Sequence, residues 1–447
     1  MRRHEIVIGD KPMPDETRLV VEIPPDMAFA HCLAGVAKTL AERLGMGPRE
    51  NLRFQLTVEE FYLYLVGVAR DGQPMRIELT GKRHLLNASF GFEASDLALG
   101  GLNITACPKT GQSGELPEDI GLLLAGKAAD RFVLEHQGGD RFRIVAEVDR
   151  AYPALPPVCP PEMLRPPYRL LAEHDPARLT QAAAMAAGAY PASQCPGSFR
   201  TPEKFADLVA CGQVGCLVAV DAKGQTAGLV TWNPCSERAI YFSGPYVFSS
   251  GTQRADIARL LLDGMLMALA RTPYVIILSF RATADLTPGY FEPLGSLQAG
   301  VSTGGEQTVV FRHLREDAGL AVWSDAHIET FLRQSYDRLE MFRDLLPVEA
   351  PVRTRAESLL GATLDRQRNM AELQPFMDGQ DMAANLTAHV NVIRGKGIDR
   401  ILFYMDLSRP WQAALAEDLT SAGFVPKLVL PYAGQTDKVV WQHERTS

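Results

Sequence analysis

The sequence is short of the features that usually announce a chemistry. Its 447 residues include only 7 cysteines, at positions 32, 107, 159, 195, 211, 216 and 235. None belongs to a Cys-x-x-Cys pair or stands at zinc spacing from a histidine, which excludes a zinc ribbon and a dithiol redox motif. The odd, scattered set predicts reduced thiols of a cytoplasmic protein, with Cys211 and Cys216 as small core residues in apolar surroundings. The 9 histidines are isolated, so no metal site is expected. No apolar run reaches the roughly 18 residues a bilayer span needs. The start, Met-Arg-Arg-His-Glu, is charged, and no apolar signal segment is expected. Basic charge is also scarce: 45 Lys and Arg against 53 Asp and Glu leave a formal net charge of −8. A nucleic-acid backbone is therefore not the expected partner, and neither is a membrane. There is no Gly-x-Ser-x-Gly elbow, and Gly81-Lys82 and Gly126-Lys127 lack the upstream glycine of a phosphate-binding loop.

What is present is an ordinary globular composition, 46% hydrophobic and 22% charged, in a length that suggests about three domains. The clearest boundary is 151–167, AYPALPPVCPPEMLRPP, in which 7 residues are proline. Proline fixes φ and donates no backbone N–H, so this stretch reads as an extended linker. A second boundary falls near 314–324, where a strand-like run gives way to a helical pattern. The expected units are 1–150, 168–315 and 320–447, and the fold class is multidomain α/β.

In the first unit, strands are expected at 18–23, 75–81, 84–92 and 141–148, and helices at 27–45, 50–70 and around 119–133. The order gives an α/β sandwich with helices on one face of a sheet. It resembles the ATPase domain of anti-sigma factors and histidine kinases, in three places. Leu56-Thr57-Val58-Glu59-Glu60 is similar to the helix carrying a Glu and, four residues on, a magnesium-binding Asn; Glu60 matches the Glu and Tyr64 stands at the Asn. Asn87-Ala88-Ser89-Phe90-Gly91 resembles the Asp-x-Gly-x-Gly box, with Asn87 for the adenine-reading Asp and only Gly91 retained. Asp119-Ile120-Gly121-Leu122 resembles the Gly-rich start of the helix below the phosphates, where free N–H groups favour an anion. The resemblance implies an ATP site at Glu60, Asn87, Gly91 and Gly121, and a protein partner for residues 1–150. The changed positions, Tyr64 above all, argue against a kinase.

The second unit reads βααβββαβαβ. Asp175 is the expected N-cap of its first helix, with Pro176 at the first helical position. Gly244-Pro245 interrupts the strand 239–248, a bulge signal. A short helix is expected around 288–295. This order resembles the Gcn5-related N-acetyltransferase (GNAT) fold, which implies acetyl-CoA or another acyl-CoA as donor and an amine on a small molecule or protein as acceptor. In that family a splayed strand pair exposes backbone groups to the pantetheine arm, here strand 239–248 with Val247. The following loop offers its amides to the CoA pyrophosphate; Gly251, Gln253, Arg254 and Ala258 match loosely, with Asp256 in place of the central glycine. The family's late helix supplies a Tyr that protonates the departing thiolate. Phe291 holds that position and Tyr290 stands one residue early, about 100° around a helix. Glu237 is the nearest candidate for a general base.

The third unit is expected to hold an amphipathic helix over 325–346, strands at 357–365, 370–376 and 400–408, and helices at 381–395 and 410–424. Two strands, 426–432 and 438–444, end it. Its tail parallels that of the second unit, strand, helix, Gly turn and hairpin, and reads as a weak internal repeat. It thus resembles a second GNAT-like half, with Gly423-Phe424 retained and Leu419 at the Tyr position. Two readings follow. One is a GNAT-type N-acyltransferase. The other is a non-catalytic regulatory or scaffold protein whose ATPase-like unit holds a protein partner.

Overall fold

The computed structural model describes residues 16–70, 72–94, 97–106, 120–154, 156, 158–161, 163–249, 251, 253–299, 305–349 and 352–444. Cys107, Asp119 and, between Gly251 and Gln253, Thr252 lie outside the described residues.

The first unit comprises β1 (Thr17–Ile23), α1 (Ala30–Arg43), α2 (Pro48–Val68), β2 (Met75–Lys82), β3 (Leu85–Glu93), α3 (Ile120–Ala128), β4 (Arg131–His136) and β5 (Arg141–Asp149). Ala30, Leu33, Ala37, Leu40 and Ala41 recur at helical spacing, are buried, and turn α1 against α2. The strands are antiparallel in the order β1-β2-β3-β5-β4. Alternate residues such as Ile77, Leu79, Leu86, Ala88, Phe90 and Ile144 are buried in a core shared with the helices. The helix expected over 119–133 stops at Ala128, and the chain from Arg131 pairs with β5. The aromatic and β-branched pair Phe132-Val133 suits a strand, and Arg131 is held there by Glu147 and Asp149 of β5.

The second unit comprises β6 (Arg169–Leu171), α4 (Pro176–Ala189), α5 (Pro202–Ala210), β7 (Gly215–Val220), β8 (Thr226–Pro234), β9 (Ala239–Val247), α6 (Gln253–Leu269), β10 (Ile276–Ala282), β11 (Glu292–Gln298) and β12 (Glu306–His313). Asp175 caps α4 by accepting from Ala177 N at 3.1 Å. The sheet order is β11-β12-β10-β9-β8-β7-β6, and β9 with β10 is the parallel pair. Helix α6 covers one face through Leu261, Leu262 and Met265, while α4 and α5 cover the other through Leu179, Phe205 and Val209. The short helix expected at 288–295 does not form: Thr287-Pro288-Gly289 turns, with Gly289 at φ +83°, and Glu292 onward joins the sheet beside β12.

The third unit comprises β13 (Leu320–Ser324), α7 (Ala326–Arg338), β14 (Arg343–Pro347), β15 (Leu359–Asp365), β16 (Met370–Met377), α8 (Met382–Gly395), β17 (Arg400–Asp406), α9 (Pro410–Ala413), α10 (Ala416–Ser421), β18 (Phe424–Leu430) and β19 (Lys438–His443). The helix expected over 325–346 is cut short where Glu340 takes φ 53°, a left-handed turn that a helix cannot contain. Residues 343–347 then pair in parallel with β13.

The two later sheets repeat one pairing sequence. β8-β9 and β15-β16 are antiparallel, β9-β10 and β16-β17 parallel, and β10-β12-β11 and β17-β19-β18 antiparallel. Both terminal hairpins shift register at a proline, between Pro293 and Gly295 and between Pro426 and Leu428. The two units share an apolar core that joins Leu278, Leu294 and Phe311 to Leu428, Val429 and Trp441.

The first unit docks on the edge of β15. Asn103 Nδ2 donates to Ser358 O at 2.9 Å, and its Oδ1 accepts from Leu360 N at 3.0 Å. A carboxamide offers one donor and one acceptor side by side, as a neighbouring strand would. Leu359 and Met377 meanwhile complete the first unit's core. Asn103→Ala takes the acceptor from Leu360 N, while Ser358 O keeps Asn385 Nδ2 at 3.2 Å, and the loss is expected to cost about 1–3 kcal/mol. The measurement is hydrogen exchange at Leu360, which should accelerate; unchanged protection would show that Asn103 does not hold the interface.

Candidate functional site

The ATP-site candidates are divided between the two layers of the first unit. Leu86, Ala88, Phe90 and Phe92 point into the helix-side core. Strand alternation therefore puts Asn87, Ser89 and Gly91 on the opposite, helix-free face. There Ser89 Oγ accepts from Arg143 Nε at 2.6 Å. Glu60 lies in the helix layer, where a Cβ at Gly121 would sit 2.5 Å from its Oε2. Its carboxylate thus occupies the start of α3, the place a phosphate would take. Burial, and then the neighbouring Glu59, push the Glu60 carboxyl above its ordinary value. Tyr64 donates to Ala98 O at 2.8 Å. The structure brings Glu60 and Gly121 together and leaves Asn87 and Gly91 across the sheet from them.

The donor candidates of the second unit do converge, but their polar groups are taken. Past Gly244-Pro245, where β9 would part from β10, Thr283 closes the wedge: its N donates to Gly244 O at 3.3 Å and its Oγ1 to Pro245 O at 2.5 Å. Val247 N donates to Tyr190 Oη at 2.6 Å, and the same hydroxyl lies 3.1 Å from Val247 O. Tyr190 Oη is also 2.6 Å from Asp285 Oδ2 and accepts from Arg254 Nη2 at 2.9 Å. Arg254 is further engaged by Asp285, with Nη2 to Oδ2 at 2.6 Å, and by Ser249 O at 2.9 Å. Asp285, only 6% exposed, holds the Arg254 guanidinium above its usual value. Burial and Asp285 together raise the Tyr190 phenol well above its usual value, so it stays protonated. One network thus joins the end of β9, the residues after β10 and the first turn of α6.

The remaining donor residues are distributed around this network. Gln253, the first residue of α6, accepts from Tyr168 Oη. Gly251 has φ +81° and is exposed, as is Asp256, whereas Ala258 is 1% exposed inside the α6 core. The third unit closes its own wedge in the same manner. β16 and β17 pair as far as Leu373 and Phe403. Beyond that, Gln412 Nε2 donates to Pro375 O at 3.2 Å and its Oε1 accepts from Asp406 N at 2.8 Å.

The catalytic candidates lie apart. Tyr290 is in a turn rather than on a helix, and its hydroxyl donates to Asp263 Oδ1 at 2.6 Å on the outer side of α6. That bond, ahead of burial, raises its phenol above the usual value. Phe291 stacks on Phe242 at 4.6 Å between ring centres. Glu237 is exposed in the turn before β9, ten residues or roughly 30 Å of strand from Val247. Sequence reasoning missed Tyr190, Thr283, Asp285 and Gln412. Tyr190 and Asp285 are 95 residues apart, and no spacing could have joined them. Burial pushes the Cys216 thiol up to about 12, consistent with an inert core residue.

Among the described residues, no helix is long and apolar enough to cross a membrane. No protein-family model and no curated protein matches the chain in sequence. Among solved structures it is similar to a candidate acetyltransferase of the GNAT family from Desulfovibrio desulfuricans, at 14% identity and a TM-score of 0.26, over 33% of this chain and 99% of that one. It is also similar to an aminoglycoside 6'-acetyltransferase type Ii, at 14% identity and a TM-score of 0.23, over 33% of this chain and 98% of that one. At such identity and scores these likenesses bear on no residue and no reaction.

Proposed function

We propose that this chain is a non-catalytic binding or regulatory protein built from GNAT-like units, in which the acyl-donor tracks have become structural joints. The observation that carries this reading is the Tyr190–Asp285–Arg254 network across the end of β9. A pantetheine arm would have to displace the Tyr190 hydroxyl from Val247, and a pyrophosphate would have to take Arg254 from a nearly buried carboxylate. Each exchange would leave a buried polar group unpaired, at about 1–3 kcal/mol or more for a charged one. Gln412 bridging β16 and β17 supports the same reading for the third unit. In such a protein the helix-free face of the first sheet is the surface offered to a protein partner. On this face its strand β1 exposes Val20, beside the ion pairs Arg18–Glu78 and Arg76–Glu22.

The test is isothermal titration of the full chain with acetyl-CoA. No saturable heat is expected at millimolar ligand. Micromolar binding, with free thiol released in the presence of an amine, would replace this reading with the acyltransferase.

A further inference from the structure

A cavity of about 310 Å³ lies where the second and third units meet. Its origin is in the repeat. The second unit covers the sheet face opposite α6 with α4 and α5. The helix that precedes the corresponding strands in the third unit, α7, packs on β13, β14 and β18 instead. The equivalent face of β16 and β17 is therefore met by strands of the second unit, and a polar space is left between them.

The charge in this space is one-sided. Arg281, Arg368, Arg400 and Lys438 line it, against a single carboxylate among the lining residues, Glu372. Arg368 spends its donors holding the carbonyls of Ala192 and Cys195, with Asp365 3.6 Å away. Arg400 is 7% exposed; its Nη1 donates to Gln307 Oε1 at 2.6 Å, and its Nε has no acceptor among the described residues. No ion pair to Arg281 or Lys438 occurs among the described residues. Tyr404 donates to Glu372 Oε1 at 3.4 Å, at the same wall. Burial lowers the Arg400 guanidinium. It also lowers that of Arg368 to about 10, and Arg281 adds to the effect. At both residues burial is the main cause, and Glu372 opposes it. Ser193 and Gln374 are exposed, so the cavity opens to solvent between them.

We propose that this cavity binds a small organic dianion, a phosphate monoester or a dicarboxylate, with its negative groups on Arg281, Arg400 and Lys438. Arginine forks match the paired oxygens of either group. Glu372 then accepts a hydrogen bond from a hydroxyl or amino group on the same ligand. At about 310 Å³ the space admits a small ligand of about ten heavy atoms. The site stands apart from the non-catalytic reading, because none of its residues belongs to the donor network.

The experiment is thermal unfolding of the full chain at constant ionic strength, with glycerol phosphate, succinate or sodium chloride as the varied solute. One dianion is expected to raise Tm by about 3 °C or more with saturation in the millimolar range, and chloride is not. A response to glycerol phosphate alone assigns a phosphate ligand, and a response to succinate alone a dicarboxylate. R281Q and K438Q, on opposite walls, are each expected to weaken the saturable shift tenfold or more. Neither should melt earlier than the unaltered protein without ligand, because neither side chain is in an ion pair among the described residues. Purely structural arginine and lysine roles would instead lower the ligand-free Tm. General stabilisation by excluded salts would persist in both variants. Either of those results, or equal shifts with chloride, overturns the site.

Discussion

Replacement of Arg343 by methionine is expected to cost about 3–5 kcal/mol of unfolding free energy. The Arg343 side chain is fully buried and sits between Asp437, also fully buried, and Asp317, which is 10% exposed. Its Nε lies 2.6 Å from Asp437 Oδ2, and its Nη1 2.6 Å from Asp317 Oδ2. Asp437 Oδ1 also accepts from Tyr432 N at 2.8 Å, and the Tyr432 hydroxyl donates to Asp317. The rings of Tyr336 and Tyr432 face the guanidinium at 5.5 and 5.0 Å. Removing the cation leaves two carboxylates without their counterion in an apolar core, and that exposed penalty, rather than the lost attraction, sets the size of the effect. The triple variant R343M/D317N/D437N is therefore expected to recover part of the loss, because neutral amides can still accept from Tyr432. Urea unfolding midpoints give both numbers. A loss below about 1 kcal/mol for R343M would mean that water reaches the cluster.

The cluster also predicts the acid limb. Burial works against the Asp317 carboxylate, but Tyr432 and Arg343 outweigh it and hold its pKa below the usual value. A depressed carboxylate contributes stability that is present above its unfolded pKa, near 4, and is lost as pH falls through the folded one.

Between pH 7 and pH 5 the protein is expected to lose stability through buried histidines. His84 and His389 are 1% and 0% exposed. Neither ring nitrogen of His84 has a partner among the described residues, and neither does Nε2 of His389; Nδ1 of His389 lies 2.9 Å from Asn385 O. Burial lowers both pKa values. At His84 the cations Lys204 and Lys82 act in the same direction, with Asp149 and Asp207 opposing. A histidine depressed in the fold binds its proton in the unfolded chain first. Its contribution is therefore complete above about pH 6.5 and is lost as pH falls from there. Linkage bounds the loss at about 2 kcal/mol per histidine at pH 5. His313 and His443, half-buried, are lowered in the same sense, while exposed His327 is raised by Asp325 and acts oppositely. Denaturant midpoints at pH 7, 6 and 5 measure the slope. His389→Leu should flatten it, and midpoints independent of pH would mean that the fold admits charged histidines.

Local chemistry was legible wherever neighbours in the chain decide it. The prolines of 151–167 mark a stretch with no helix or strand among its described residues. Asp175-Pro176 opens α4, and Gly244-Pro245 falls where the pairing of β8 with β9 shifts register. The parallel between the tails of the last two units reads as strand, helix, Gly turn and hairpin; the helix is absent from the second unit, and the rest survives in the shared pairing order and in twin bulges at Pro293 and Pro426. The three helices drawn too long, or where none forms, share a physical cause. At 131–136, 292–298 and 343–347 a helical spacing of apolar residues competes with a waiting sheet edge, and cross-strand partners such as Glu147 for Arg131 override local propensity.

Convergence was decided only in three dimensions. Period-2 alternation was readable at Asn87 and Gly91, but which face of β3 would carry helices was not, because that depends on where α1, α2 and α3 pack. What neighbours in the chain settle is a mixed α/β chain with a proline-rich break at 151–167. The packing of distant segments sets which polar groups meet. Tyr190 and Asp285 meet at the end of β9, Gln412 bridges β16 and β17, and three arginines from two units face one cavity. Hydrogen bonds and charges act through space, and no periodicity along the chain records which distant side chains the folded core brings within 3 Å.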